Sequence, residues 1–418
     1  MIRESLFQAI VLTCTKTFSL LSHKKGNCRI LVLTPTASGS LGDEAMVRAT
    51  VEELHARTIT SRICLLIWSP SDRETFADLD VDFTEIGKFA SAPFRVRGTR
   101  SIIFWQLPRL LKRLSDASHL FILGADVLDG KYSERRSVRR LLVAKMGAII
   151  GTKTSIIGFS YSDKATSKTR KSMKSLPHSV RLSCRDPHSQ KRVRLLCGRP
   201  VQGTADLAFL LKPRQANDED FRGCVDAIQG CRASGRKIIG ININRQAFGQ
   251  SIEEDPDQAV TAYENLMRGI AMHTNAAFVL LPHDYRGAHS DAALLRRLAE
   301  RTKKDLQIIM VQRRMRADEV KHLAGCLDLT ITGRMHLAIA SLGMSTPVLV
   351  HDYQGKVTGL LSLFRLDSNL FTGEDLVIEE RALETCISII AQKDAQEKAI
   401  ESRLPHIKTL ARDNFQHI

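Results

Sequence analysis

Arg334 and His336 lie two residues apart, directly after the apolar run LDLTITG and before the uncharged segment MHLAIASLG. The run predicts a strand that ends at Thr332, and Gly333 permits a sharp turn into a helix. Both side chains would lie at a helix N-terminus, where the helix dipole favours an anion. Arginine supplies a bidentate fork for carboxylate or phosphate, and histidine can carry a proton near neutral pH. A surface arginine and a core histidine would explain either residue alone, but the pair predicts an anion site.

Further cationic side chains follow other predicted strands. Tyr353 and Lys356 come just after the apolar run PVLV, and Arg185 follows a short strand in LSCRDPHSQKRV. Neighbouring strands of a parallel sheet end at the same edge, so Lys356 would share the anion with Arg334. Arg185 is a second candidate fork for an anion.

Acidic side chains occupy two predicted turns in the N-terminal half. Asp43 follows Gly42 in TPTASGSLGDEAM, which fits neither a dinucleotide fingerprint nor a P-loop. Asp43 would either be a helix-terminal acid or hold or deprotonate a sugar hydroxyl, and the sequence leaves both open. The turn FILGADVLDGKYS brings polar groups suited to carbohydrate, namely Asp126, Asp129 and Tyr132.

Metal ligation finds little support in the sequence. There is no HExxH motif and no histidine pair at helical spacing. His283 and Asp284 end another predicted strand, where satisfied loop residues are the more usual explanation. We therefore predict a mechanism without a metal or a cofactor.

Apolar runs alternate with helix-length segments from residue 29 onward. This alternation is typical of parallel sheets covered on both faces, and it predicts an α/β fold with two Rossmann-like, doubly wound domains and a cleft between them. The polar stretch near residues 211–237 separates the two series. The expected divisions are a leader over 1–28, an N-terminal domain over 29–212, a C-terminal domain over 213–373, and helices over 374–418 that pack back.

The composition of the 418-residue chain indicates which classes of partner it could bind. Lys and Arg number 61 against 45 Asp and Glu, a formal net charge of +16 that attracts anions. The basic residues are scattered, without aromatic interleaving or a zinc, RRM or KH signature, so we do not expect nucleic acid as a partner. Phosphorylated substrates, or anionic lipid headgroups contacted peripherally, would account for the charge equally well.

Cysteine usage and the first residues bear on location. The nine cysteines form no CxxC pair, which predicts reduced thiols in the cytosol rather than a disulfide framework. The apolar run within residues 1–28 is interrupted by Thr15, Lys16 and Thr17 and carries Glu4, so we predict neither a signal peptide nor a membrane span. A surface helix or a poorly ordered leader is the preferred interpretation, in a cytoplasmic protein.

These motifs, in this order, resemble the polysaccharide pyruvyl transferase family. The resemblance extends over about residues 30 to 365 and rests above all on TGRMHLAIASLGMSTPVLVHDYQGK, supported by GSLGDEAM, ILGADVLDGKYS, SCRDPHSQKRV, TADLAFLL and LLPHD. The sequence is also similar to the branch of this family that includes the enzymes for colanic-acid-type exopolysaccharides. The resemblance implies a GT-B-like fold and transfer of the enolpyruvyl group of phosphoenolpyruvate to sugar hydroxyls as a ketal.

The family's Arg-x-His falls on Arg334 and His336, the arginine of its Arg-Asp-x-x-Ser segment on Arg185, and its Tyr-x-x-Lys on Tyr353 and Lys356. The N-terminal domain would hold the acceptor and the C-terminal domain the donor. For this reaction we expect His336 to be the general acid, with Asp43 or Asp126 acting on the acceptor hydroxyl. The donor's anionic groups would be bound by Arg334, Arg185, Lys356, Tyr353 and Gly333. The saccharide, lipid-linked or not, would be bound by Gly42, Asp129 and Tyr132. Oligomeric state, acceptor sugar and ketal stereochemistry are left open.

Two rival functions remain. A nucleotide-sugar glycosyltransferase of the same architecture usually holds its donor with acids in the C-terminal strand exits, and no acid occurs between Asp328 and Asp352. A non-catalytic protein that binds a polyanion or membrane surface is the second rival, and its binding would weaken uniformly with salt.

Overall fold

The computed structural model describes residues 2–21, 29–35, 39–58, 61–87, 89, 106–248, 256–352, 357–372 and 380–418. Contacts divide the chain into two compact units. The first contains Met1–Ser38, Met46–Leu207 and Leu410–Ile418, and the second contains Gly39–Ala45 and Ala208–Thr409. The expected boundary was at residue 212, whereas the observed one follows Leu207. In addition, Gly39–Ala45 belongs to the second unit although it lies in the N-terminal half, and Leu410–Ile418 belongs to the first unit although it ends the chain.

The first unit is built on a seven-stranded parallel sheet with the order β3-β2-β1-β4-β5-β6-β7. Its strands are β1 (Arg29–Leu33), β2 (Arg62–Ile67), β3 (Asp82–Glu85), β4 (His119–Ala125), β5 (Lys153–Phe159), β6 (Arg181–Cys184) and β7 (Gln202–Gly203). Four of five residues of β1 and six of seven of β4 are buried. Burial on both faces explains why these strands are almost continuously apolar.

The helices described in the first unit are α1 (Ile2–Leu21), α2 (Leu41–Arg57), whose first residues belong to the second unit, α3 (Ser71–Thr75), α4 (Leu107–Ser115), α5 (Glu134–Ile150), α6 (Ser167–Lys174) and α7 (Pro187–Cys197). α5 begins at a serine N-cap, Ser133, and ends at Gly151, whose φ of 87° only glycine adopts readily. None of the described helices is long and apolar enough to cross a lipid bilayer.

Helix α1 packs against α5. Phe7 and Val11 are buried, and the Glu4 carboxylate accepts hydrogen bonds from Nε and Nη2 of Arg139 at 2.8 and 2.9 Å. The Arg139 guanidinium lies 4.3 Å from the centre of the Phe7 ring, a cation–π contact. Helix α1 is therefore an integral element of the first unit.

The second unit contains a six-stranded parallel sheet with the order β10-β9-β8-β11-β12-β13. Its strands are β8 (Lys237–Asn242), β9 (Ala276–Leu280), β10 (Ile308–Ile309), β11 (Leu329–Thr332), β12 (Val348–His351) and β13 (Leu370–Phe371). Thr332 is in register with Asn242 of β8 and with Val350 of β12. The carboxyl ends of β8, β11 and β12 therefore lie side by side.

The remaining helices are α8 (Glu219–Ala233), α9 (Pro256–His273), α10 (Asp291–Thr302), α11 (Ala317–Ala324), α12 (Met335–Leu342), α13 (Thr358–Phe364), α14 (Glu380–Ala391) and α15 (Lys393–Arg412), with short 3-10 turns at Leu207–Leu210, Arg245–Phe248 and Asp413–Phe415. Both sheets have the strand order of a Rossmann fold. The predicted α/β class with two Rossmann-like, doubly wound domains is confirmed.

The chain returns to the first unit at its C-terminus. The Asn414 side chain accepts hydrogen bonds from the Gly158 amide and the Thr204 hydroxyl, each at 3.1 Å, and donates to the Ala205 carbonyl. The Phe415 ring packs 5.8 Å from that of Phe121. Because Asn414 and Phe415 are buried, these last residues form part of the first unit's core.

Candidate active site

The turn after β11 has the predicted form: the strand ends at Thr332, and α12 begins after Arg334. The Arg334 amide donates to the Thr332 hydroxyl at 2.9 Å. Gly333 is required sterically, since a Cβ there would lie 2.8 Å from the Cβ of Asn244. The Asn244 side chain also donates to the Gly333 carbonyl at 2.8 Å. The backbone that carries Arg334 is thus fixed from two sides.

The Arg334 guanidinium is held by a buried acid, Asp291, the first residue of α10. Nε and Nη2 of Arg334 donate to the Asp291 carboxylate at 3.1 and 2.6 Å. Asp291 also accepts from Nδ2 of Asn242 at 2.9 Å and is 1% exposed, whereas the Arg334 side chain is 22% exposed. The edge of the guanidinium formed by Nε and Nη2 is therefore engaged by Asp291, and Nη1 lies 3.6 Å from an Asp284 carboxylate oxygen.

A second arginine shares this cluster. Nε and Nη2 of Arg286 donate to the Asp284 carboxylate at 3.0 and 2.6 Å. Burial opposes ionisation of Asp284, but the hydrogen bond from Arg286 and the charge of Arg334 outweigh it and hold the pKa of Asp284 below its usual range. The cluster therefore contains two arginines, Arg334 and Arg286, and two acidic side chains, Asp284 and Asp291.

The segment Gly39–Ala45 lies against the exit of β9. Ser40 forms an antiparallel bridge with Asp284, the Leu41 amide donates to the His283 carbonyl at 3.1 Å, and the Tyr285 amide donates to the Gly39 carbonyl at 3.0 Å. These bonds bring the first turn of α2 into the second unit. Gly42 and Asp43, expected in the N-terminal domain, therefore lie with the Arg334 turn.

Gly42 and His336 are in direct contact. A Cβ on Gly42 would lie 2.3 Å from Nδ1 of His336, so only a residue without a side chain fits beside this half-buried ring. Asp43 is the next residue along the chain. The hydrogen bond to Asp284 is the main cause of the raised pKa of Arg286, and the charge of Asp43 raises that pKa further. His336, Asp43, Arg334 and Arg286 thus share one neighbourhood.

A second histidine of the cluster, His283, is uncharged at neutral pH. Burial, followed by the positive charges of His336 and Arg334, lowers the pKa of His283 to about 3. His283 is therefore a neutral imidazole at pH 7 and does not suit an acid step that needs an imidazolium.

The predicted fork of the first unit, Arg185, is buried. Its Nη1 donates to Asp206 at 2.6 Å and its Nε donates to the Ser160 hydroxyl at 2.9 Å. Burial opposes the charge of Arg185, yet Asp206 and Asp126 raise its pKa. The guanidinium is 1% exposed, so its hydrogen bonds are made inside the unit.

Asp126, Asp129 and Tyr132 lie in the turn after β4. The half-exposed Tyr132 hydroxyl donates to Asp126 at 2.9 Å. Asp129 is buried, and its carboxylate accepts from the Lys131 amide at 3.0 Å, as expected of a residue that shapes the turn. Tyr353 and Lys356, the other two predicted donor ligands, lie outside the described residues.

Comparison with known proteins decides the family. The model of the family described as polysaccharide pyruvyl transferase matches residues 41–355, which is most of the chain and includes Gly42, Asp43, Arg334 and His336. The chain belongs to the polysaccharide pyruvyl transferase family. The resemblance inferred from the motifs is thereby confirmed. No curated protein matches this member of the family.

Solved structures share the fold of this pyruvyl transferase family member. Staphylococcus aureus MnaA with UDP has a TM-score of 0.60 at 10% identity, covering 92% of this chain and 94% of that chain. The UDP-GlcNAc 2-epimerase of Neisseria meningitidis, bound to UDP-GlcNAc, has a TM-score of 0.56 at 11% identity, covering 92% and 98%. A glycosyltransferase of Rickettsia africae has a TM-score of 0.52 at 11% identity, covering 95% and 100%. At these identities the likeness concerns the fold alone.

Sequence reasoning about this family member did not single out Asp291 or Arg286. Asp291 follows the N-cap Ser290 and has the pattern of an ordinary helix start, so nothing in the sequence marks it as the partner of Arg334. Arg286 follows two residues after Asp284, and the spacing alone does not distinguish a paired loop arginine from a solvated one.

Proposed function

We propose that this protein transfers the enolpyruvyl group of phosphoenolpyruvate to a saccharide, with two hydroxyls of one sugar forming a ketal. The observation that carries the proposal is the juxtaposition of His336, held against Gly42, with Arg334, held by buried Asp291. A proton donor beside a fixed guanidinium suits an anionic enol that must be protonated.

The donor would be bound first through its charges. Its carboxylate and phosphate require several cations, and Arg334 supplies one whose guanidinium is already oriented by Asp291. The two cations of this cluster are balanced by Asp284 and Asp291, so a further cation is needed, and Lys356 after β12 is the candidate. Arg185 is a weaker candidate, because it is buried and paired with Asp206.

His336 would then donate its proton to the methylene carbon C3 of the donor, which makes C2 electrophilic. One acceptor hydroxyl bonds to C2 and yields its proton to a carboxylate. The second hydroxyl bonds to C2 as the bond from C2 to the phosphate oxygen breaks, and its proton leaves on inorganic phosphate. The proton taken by the carboxylate returns to His336, so the cycle is balanced.

Asp43 is the better candidate for that carboxylate. It follows Gly42, which contacts His336, and it belongs to the same unit, whereas Asp126 belongs to the first unit and accepts from Tyr132. Asp129 and Tyr132 stay candidates for the saccharide. The proposal includes a role in cell-surface polysaccharide synthesis at the cytoplasmic face of the membrane, with a free or lipid-linked acceptor and no metal or cofactor.

Calorimetric titration with phosphoenolpyruvate tests the proposal on the full chain. We expect binding by the wild type and at least about a tenfold loss in Arg334→Ala, the scale expected for one charge-assisted hydrogen bond. Arg297→Ala is the matched control, since Arg297 is an exposed arginine that pairs with Asp257 on the surface of the same unit. Absence of binding, or tighter binding of a UDP-sugar, would overturn the donor assignment and favour the glycosyltransferase alternative.

A further inference from the structure

We propose that a basic cavity in the first unit is a separate binding site for a phosphate or diphosphate group. The cavity, of about 710 Å³, lies beside the edge strand β3 and helix α4. The residues that carry the inference are Arg29, Arg109, Lys112, Arg113, Phe83 and Gln106. None of them belongs to the cluster around Arg185 or to the site in the second unit. A volume of this size is typical of small-ligand sites.

The charge of the cavity wall is strongly unbalanced. Five cationic side chains line it against two carboxylates, Glu85 and Asp116. Three of the cations, Arg109, Lys112 and Arg113, lie on α4 at spacings of three and four residues, where like charges repel and destabilise a helix. A concave surface lined by one sign of charge concentrates the opposite ion.

These helix cations have not been neutralised within the fold. Among the residues that the structure describes, none of Arg109, Lys112 and Arg113 forms an ion pair with an acid. Arg29 has only a long pair, with its Nη2 at 3.6 Å from the half-exposed Asp82. Among the described residues, the acids near this wall are thus too few and too distant to pair with all of its positive charges.

Two buried polar atoms of the cavity lining also lack partners. Nε of Arg29 and Oε1 of Gln106 are shielded from solvent, and neither makes a hydrogen bond within the described part of the chain. A buried polar atom without a partner costs free energy, so these two atoms leave this part of the wall incompletely satisfied. The charged groups of the wall, rather than these two closed-off atoms, are the ones that a ligand would meet.

The lining selects the class of ligand. Guanidinium and ammonium groups recognise phosphate oxygens, and arginine does so with two parallel hydrogen bonds. Phe83 and Leu110 add apolar wall, which admits a carbon group next to the phosphate. A phosphorylated small molecule and the diphosphate headgroup of a lipid present this same chemistry.

Titration of the full-length protein with inorganic pyrophosphate tests the site. We expect saturable binding that weakens as salt rises, and at least about a tenfold loss when Arg109, Lys112 and Arg113 are all replaced by Ser. The matched control replaces Arg170, Lys171 and Lys174, three exposed cations of α6, by Ser, which changes the charge of the same unit equally. Equal loss in both triple variants, or no binding by the wild type, would overturn the proposal.

A substitution of opposite sign guards against loss through misfolding. Glu85→Gln removes a carboxylate from the wall, so pyrophosphate should bind about two- to fivefold more tightly, within the range that one exposed charge contributes. Unchanged or weaker binding would contradict the site. Arg334→Ala should leave pyrophosphate binding at this cavity intact, which separates the inference from the proposed function.

A vesicle experiment distinguishes a lipid headgroup from a free phosphorylated ligand. It follows if the wild type binds pyrophosphate and the α4 triple variant does not. The wild type is then sedimented with phosphatidylcholine vesicles that contain a polyprenyl diphosphate lipid. Co-sedimentation that pyrophosphate displaces, and that the α4 variant lacks, assigns the site to a lipid headgroup. Pyrophosphate binding without co-sedimentation assigns it to a free phosphorylated ligand.

Discussion

Arg334 is oriented before any ligand arrives, because Asp291 binds its Nε and Nη2 and Asn242 in turn holds Asp291. A guanidinium held in this way loses little conformational freedom when it binds an anion. His336 is confined by steric contact, since Gly42 leaves just enough room for its ring. Both residues proposed to carry the reaction are therefore held in place by their neighbours in the second unit.

Replacement of His336 should separate catalysis from binding. In His336→Ala, we expect turnover to fall by about 10²–10⁴-fold, as for loss of a general acid, with phosphoenolpyruvate affinity changed less than about threefold. Steady-state rates combined with calorimetry measure both quantities. His289→Ala, at an exposed position in the same unit, should retain full turnover. Equal losses of turnover and affinity would make His336 a binding residue.

The buried neutral His283 should make the second unit acid-sensitive. Its pKa is about 3 in the folded protein, against about 6.5 for an unperturbed histidine. Between these values the unfolded chain binds the extra proton, so stability falls as pH drops below about 6.5, by up to about 1.4 kcal/mol per pH unit. Urea denaturation at pH 7.5 and 5.0 should show a smaller loss in His283→Gln than in the wild type. The exposed-site variant His289→Gln should lose as much as the wild type, and an identical loss in His283→Gln would refute this assignment.

At the scale of elements, the first turn of α2 belongs to the Arg334 cluster while the rest of the helix belongs to the first unit. The strand-exit turns of β9 and β11 and this helix start are joined by main-chain hydrogen bonds and by close contact. Such backbone-level contacts leave little room for a side chain at the point where they meet.

Gly42→Ala tests that contact. The new Cβ would lie 2.3 Å from Nδ1 of His336, so the ring must shift, and we expect turnover to fall by at least about tenfold, because small misplacements of catalytic groups are costly. Alanine also favours a helix over glycine by about 1 kcal/mol, so lost helix propensity cannot explain lower turnover. Gly230→Ala in α8 is the control, since nothing lies near its Cβ position. Rates and far-ultraviolet circular dichroism measure the two effects, and unchanged turnover in Gly42→Ala would rule out the steric role.

At the scale of the whole molecule, the central strands and the edge strand β10 could be predicted, whereas three other edge strands could not. The runs that became β1, β4, β8 and β11 are mostly apolar, because both faces of these central strands are buried. The strands β3, β7 and β13 lie at sheet edges and contain DFTE, QG and LF, which are too short or too polar to signal a strand.

The candidate site could be predicted only where a motif lies along one stretch of chain. Arg334 and His336 were found because the strand, turn and helix around them are contiguous. The partnership of Arg334 with Asp291 spans 43 residues, and local sequence does not encode it. The contact between Gly42 and His336 could not be predicted for the same reason, because Gly42 follows β1 and is distant from His336 in sequence.

The C-terminal residues should stabilise the first unit. Phe415 is buried and packs on Phe121, while the Arg57 guanidinium lies over its ring. Phe415→Ala should lower the unfolding free energy of that unit by about 3 kcal/mol, the usual cost of deleting a buried aromatic ring. Differential scanning calorimetry can detect the shift, with exposed His417→Ala as the control. A shift no larger than that of the control would show that the last residues add little to this core.

The division of α2 between the two units limits how enzymes of this design can be recombined. A chimera that exchanged residues 1–207 with those of a relative, in order to install another acceptor preference, would also import the relative's residues 39–45. The transplanted helix start would then face a His336 for which it was not selected. A crossover that spares Gly39–Ala45 keeps the two partners together, so successful module swapping in this protein requires a discontinuous graft rather than a single cut.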